Sequence, residues 1–117
     1  RKCMLMFDDN PNVIRWASEE LAIPYVSPVD RKRHKYYPDF LIEMKNRKGQ
    51  IETVLIEVKP YKQTQVPQKP KRMTKTFENA TKTFLVNQAK WDAAKIVCEN
   101  KGWEFKILTE KEIYGKR

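Results

Sequence analysis

Two runs rich in β-branched and aromatic residues, at 36–44 and 51–59, are separated only by Lys45-Asn46-Arg47-Lys48-Gly49-Gln50. This pairing constrains the fold more than any other stretch of the chain. Two such runs joined by a short polar turn containing Gly read as an antiparallel hairpin. Gly49 supplies the turn geometry. Pro60 ends the second strand, because proline has no N–H to donate to a ladder. If the turn centres on Lys48, residues whose numbers sum to 96 face one another, which sets Phe40 opposite Ile56, Leu41 opposite Leu55 and Asp39 opposite Glu57. Side chains alternate across a strand. Phe40, Ile42, Val54, Ile56 and Val58 therefore form a core-facing row, while Asp39, Glu57 and Lys59 share the other face.

The rest of the chain arranges itself around this hairpin. Residues 1–7 read as the tail of a helix, ended by Asp8, Asp9, Asn10 and Pro11. Short apolar stretches at 13–16 and 21–26 read as strands, broken by Pro24 and Pro28, and 29–35 as a polar, very basic connection. Residues 61–76 hold Pro67 and Pro70 among Lys, Gln and Thr, a composition that describes a mobile basic loop. Phe84, Leu85, Ala89, Ala93, Ile96 and Val97 recur at helical spacing, so the sequence predicts an amphipathic helix over 82–101 with Gly102 as its C-terminal cap. Trp103, Phe105 and Ile107 alternate with polar residues as in a half-buried strand, and Thr109 and Glu112 have capping-box spacing ahead of a short final helix. A strand, a helix and a second strand in succession predict a right-handed crossover between parallel strands. The expected fold is α/β, a small mixed β-sheet flanked by helices, within a single domain over 1–117.

Charge and cysteine usage narrow the functional classes. The 117 residues carry 24 Lys+Arg against 15 Asp+Glu, a net charge of +9, which points to a polyanionic partner, most often nucleic acid. A solvated basic surface is the plainer alternative. Two cysteines, Cys3 and Cys98, fit neither a disulfide framework nor a zinc site, and a reducing compartment is expected. No apolar run reaches the roughly 18 residues of a membrane span. Arg31, Lys32, Arg33, His34 and Lys35 form one basic run directly before the Asp39 strand, and Lys69, Lys71, Arg72 and Lys75 form another. Both suit salt-sensitive contact with DNA phosphates, Arg31, Lys32, Arg33 and Lys35 being the first run's candidates. No base-reading element is apparent. His34 reads as polar surface, and Cys98 as a buried small hydrophobe.

Two carboxylates facing each other in an apolar hairpin destabilise it unless positive charge lies between them. A hard divalent ion such as magnesium meets that need; so does Lys59, if this is a surface face on which it bridges Glu57 and Asp39. The residues alone leave both readings open.

Tyr37-Pro38-Asp39 followed by Leu55-Ile56-Glu57-Val58-Lys59-Pro60 resembles the paired signature of PD-(D/E)XK nucleases, the restriction-endonuclease-like superfamily. Trp16-Ala17-Ser18-Glu19-Glu20, Ile23-Pro24-Tyr25, the Pro/Lys-rich loop, 87–91 and 105–112 extend the resemblance over nearly the whole chain, to the head-completion nucleases of T-even-type bacteriophages. The resemblance implies a divalent-metal-dependent DNA endonuclease acting on packaged phage DNA, with Mg2+ as cofactor and Mn2+ as its substitute. It implies Asp39, Glu57 and the Val58 carbonyl as metal ligands, Lys59 as the catalytic lysine, capsid or portal partners, and a location in the infected host cytoplasm and the virion. Such nucleases carry another acid on their first helix; residues 1–7 hold none, and the resemblance places it upstream of Arg1. Glu19 or Glu20, expected on an early strand, are candidate substitutes, and Gln88 and Lys90 on the long helix are candidate accessory residues. Two alternatives stand beside this reading: a non-catalytic DNA-end or portal-binding protein on the same fold, and a transposon-end endonuclease subunit.

Overall fold

The structure, a computed structural model, describes residues 2–113. Its elements run in the order α1 (Lys2–Asp9), β1 (Val13–Ser18), β2 (Ile23–Val26), β3 (Arg33–Tyr36), β4 (Phe40–Lys45), β5 (Ile51–Val58), a 3-10 turn (Tyr61–Thr64), α2 (Lys75–Lys101), β6 (Glu104–Leu108) and α3 (Glu110–Ile113). Four strands form one sheet in the order β1-β4-β5-β6, and β2 and β3 form a separate two-stranded ribbon. β1, β4 and β5 are antiparallel neighbours, whereas β6 runs parallel to β5 after the α2 crossover. The sheet is therefore mixed.

The β4–β5 hairpin has the register expected from its turn: Phe40 pairs with Ile56, Leu41 with Leu55 and Ile42 with Val54. Asn46 organises the turn. Its side-chain oxygen accepts the N–H groups of Lys48 and Gln50 at 2.9 and 3.0 Å, and Gly49 adopts φ +80°. Such side-chain bonds satisfy backbone groups that the ladder leaves unpaired.

The two faces of the sheet bury different cores. Phe40, Ile42, Val54 and Ile56 pack with Phe7 of α1, joined by Trp16, Val58, Leu108 and Ile113. Phe7 meets Phe40 edge-on with ring centroids 5.0 Å apart, an arrangement favoured by the aromatic quadrupoles. On the opposite face, Leu55 packs with Ile23, Tyr36 and the inward stripe of α2, Trp91, Ala94 and Cys98. The helix-flanked mixed α/β sheet is thus as expected, with α1 and α3 on one face and α2 with the β2–β3 ribbon on the other.

Four expectations need correction. The basic stretch 29–35 is not all connection: Arg33–Tyr36 is strand β3, pairing with Ile23–Val26. Solvated basic side chains hid an edge strand that needs only one apolar anchor, the buried Tyr36. The run 36–44 is consequently two strands, divided at Tyr37-Pro38-Asp39. Helix α2 begins at Lys75, seven residues before the expected start at 82, because Thr74 caps it by accepting the Phe77 N–H at 3.0 Å. Glu19 and Glu20 follow β1 and lie outside any strand.

Candidate active site

The hairpin, the end of β6 and the crossover helix converge on the carboxyl end of β5. Asp39 occupies the bend before β4, where one carboxylate oxygen accepts the Val58 N–H at 2.7 Å. Its main-chain carbonyl accepts the Glu19 N–H at 3.1 Å, which ties the end of β1 to the same point. Glu57, two residues after the fully buried Leu55 on the same face, is itself only 5% exposed. Lys59 continues that face. Its backbone N–H donates to the Leu108 carbonyl at 3.0 Å, extending the parallel pairing past β5, and its Nζ lies 3.8 Å from Glu57 Oε2.

The electrostatics of Glu57 are those of a charge kept from water. Burial pushes its carboxyl above the ordinary carboxylate range; the Tyr36 hydroxyl opposes this, the charge of Asp39 reinforces it, and Lys59 and the Trp91 indole oppose it more weakly. Tyr36 is pushed up in turn, by burial first and then by the charge of Glu57. Tyr36 Oη, Trp91 Nε1 and Asn87 Nδ2 are buried without a hydrogen-bond partner of good geometry. An unpaired buried donor costs about 1–3 kcal/mol, so the two beside the Glu57 carboxylate, Tyr36 Oη and Trp91 Nε1, mark a place organised for more than packing.

The expected residues divide into those brought together and those held apart. Asp39, Glu57, Val58 and Lys59 gather at one point. Lys90 lines a cleft of about 470 Å³ beside Lys59, together with Asn87, Lys82 and Tyr25; Gln88 is half-buried and does not line it. Glu19 and Glu20 are exposed, and among the described residues no three of His, Cys, Asp and Glu are grouped to hold a metal. Arg31, Lys32, Arg33 and Lys35 are exposed on the β2–β3 turn and on β3 itself. Lys69, Lys71 and Arg72 are exposed in the loop before α2, and Lys75 is the first residue of that helix. His34 is exposed, bonds Asp30 at 2.9 Å and stacks on Tyr25, as a polar surface residue. Cys98 is buried as expected.

Reasoning from sequence missed Tyr36 and Trp91 beside Glu57, and Asn87 in the cleft that Lys59 lines. A signal existed: Asn87, Trp91, Ala94 and Cys98 recur at the 4-3-4 spacing of one helix face, and all four are buried.

Comparison with known proteins settles the family. Residues 10–110 match the family described as TnsA-like endonuclease N terminal. The chain belongs to that family. This TnsA-like domain is also 43% identical over 107 residues to the head completion nuclease of Enterobacteria phage T4, covering 88% of this chain and 69% of that protein. No solved structure matches. The TnsA-like domain is a nuclease with a restriction-endonuclease-like α/β fold. Among its described residues no helix is long and apolar enough to cross a membrane.

Proposed function

We propose that this TnsA-like domain is a divalent-metal-dependent DNA endonuclease of the PD-(D/E)XK type, hydrolysing phosphodiester bonds in packaged phage DNA as the head is completed. The observation that carries the reading is the meeting of Asp39 and the buried Glu57 at the end of β5, with Lys59 Nζ 3.8 Å from the Glu57 carboxylate. Two carboxylates and the Val58 carbonyl are hard oxygen donors, the set Mg2+ or Mn2+ takes when water and phosphate complete the shell. The donor set therefore fits such an ion, and a buried carboxylate with its charged form disfavoured gains from one. When bound, the ion would supply Lewis-acid polarisation of the phosphate and a water of lowered pKa.

The chain's own residues do the rest. The Val58 N–H holds one oxygen of Asp39 and so fixes the direction of the other. Glu57 is held on a strand whose neighbours on both sides are paired, which keeps its position rigid. Lys59 brings an ammonium to where negative charge develops on the phosphate in the transition state. The exposed basic residues, Arg31, Lys32, Arg33 and Lys35 on one side and Lys69, Lys71, Arg72 and Lys75 on the other, attract DNA by its backbone and carry no sequence preference. Capsid or portal components as partners, and a place in the host cytoplasm and virion, follow from the same phage reading.

Cleavage of linear and branched DNA, with Mg2+ or Mn2+ and without, tests the proposal. Asp39→Ala and Glu57→Ala should each abolish cutting and leave DNA binding in place. The same assay on a chain extended upstream of Arg1 tests whether a further acid contributes. A second reading, a DNA-end or portal-binding protein that does not cut, draws on the absence of a third acid beside the pair among the described residues. Tight binding with no cutting by either chain would select it.

A further inference from the structure

The cleft beside Lys59 has features the acid pair does not explain. It lies between the β2–β3 ribbon and α2, and receives Lys82, Asn87 and Lys90 from the helix and Tyr25 and His34 from the ribbon. Lys90 Nζ sits 6.0 Å from the Tyr25 ring centroid and 5.7 Å from that of Tyr36, so two aromatic faces hold this ammonium in place. Neither Lys82 nor Lys90 has a carboxylate within ion-pair distance among the described residues. The carboxylate that does line the cleft, Asp30, is engaged by the His34 ring at 2.9 Å and the Lys32 N–H at 2.9 Å. Asn87 is 4% exposed, and its amide N–H group lacks any acceptor.

Positive charge without counterions, together with an unpaired amide donor, describes a place for an anion with several oxygens. Lys59 belongs both to this cleft and to the acid pair, so the two sites are adjoining parts of one surface. We infer that the cleft is a strand-binding subsite, in which Lys82 and Lys90 hold the phosphate of the nucleotide next to the one being cut and the Asn87 amide donates to the same group. This rests on the nuclease reading and deepens it: the cleft fixes the strand so that the scissile phosphate meets Asp39, Glu57 and Lys59. Its ligand is a backbone phosphodiester, read without regard to base.

The test compares two double variants of the full chain that each remove two positive charges. One is Lys82→Ala with Lys90→Ala. The other is Lys45→Ala with Lys48→Ala, at the far end of the β4–β5 hairpin. Binding of a short labelled duplex is followed by fluorescence anisotropy over a range of salt. Each phosphate contact contributes about 0.9 to the slope of log affinity against log salt. The cleft variant should therefore flatten the slope by about two contacts' worth, and the hairpin variant should leave it unchanged. Equal slopes in the two variants would overturn the subsite. A second measurement needs no substitution: the side-chain amide resonances of Asn87 should shift when a thymidine dinucleotide is added, and stay put when its linkage is an uncharged methylphosphonate. An Asn87 signal indifferent to the charged dinucleotide would also overturn it. If the unsubstituted chain fails to bind DNA even at low salt, the nuclease reading falls and the subsite with it. Binding with equal slopes removes the subsite alone.

Discussion

At Glu57 a carboxyl group is held out of water by Leu55, Tyr36 and Trp91, and burial raises its pKa above the ordinary value of 4.5. The folded chain then binds this proton more tightly than the unfolded chain. The stabilising contribution is full below pH 4.5 and is lost as pH rises through the folded-state pKa. Glu57→Gln removes that dependence. Its melting temperature should exceed that of the parent by a few degrees near neutrality, and the gap should close toward pH 4.5; thermal scans across that range check it, and parallel curves would refute it. Added Mg2+ should narrow the gap from the other side, by raising the parent's melting temperature and leaving the variant's unchanged. Asp39→Ala should lower the cleavage rate by about 10³-fold or more, as expected when a group acting mainly in the transition state is lost. Its DNA affinity should stay level or rise, because a negative charge has gone. Asp39, Glu57 and Lys59 were legible in the sequence because strand alternation and one turn fix their side. Tyr36 was not, and the 4-3-4 face carrying Asn87 and Trp91 marked burial without saying what it covers, because β3 and α2 bring these residues in from 21 residues before and 30 or more residues after Glu57 in the chain.

Among the elements, α2 shows most clearly how local chemistry outranks composition. The Pro- and Lys-rich approach to it reads as loop throughout, yet Thr74 stops the loop and starts the helix with one side-chain hydrogen bond. Thr74→Ala should cost about 1 kcal/mol, and amide exchange should quicken over 75–82 while the segment around Trp91 stays protected. Uniform exchange along the whole helix would contradict this. The lower half of α2 is anchored by Trp91 and Ala94, whereas Thr76, Ala80 and Thr83 in the first turns are exposed, so the cap matters where packing is thin. Strand β3 was illegible for a related reason. Arg33, His34 and Lys35 are all exposed, and an edge strand solvated on both sides carries no alternation to read. The hairpin was legible because two apolar runs flank one short polar turn, and β6 because it has one half-buried and one wet face. The capping box at Thr109 was legible too: Glu112 accepts the Thr109 N–H at 2.7 Å, as its spacing requires.

For the whole molecule the net charge of +9 sets how it meets its substrate. Binding should weaken steeply between 50 and 200 mM salt, by about 10³-fold or more if some six phosphates are neutralised. Unrelated duplex sequences should show the same dependence; a titration that separated them would contradict binding by backbone alone.

The turn at Asn46–Gln50 has a separate consequence. The carboxylates and Lys59 lie at one end of the β4–β5 hairpin, and this turn closes the other end with a self-contained knot of hydrogen bonds around the Asn46 side chain. The two buried faces hold the register as well as the turn does. The chain thus carries a natural handle: a fluorophore or an affinity peptide grafted between Arg47 and Lys48 would report on the molecule from the end of the hairpin opposite its carboxylates.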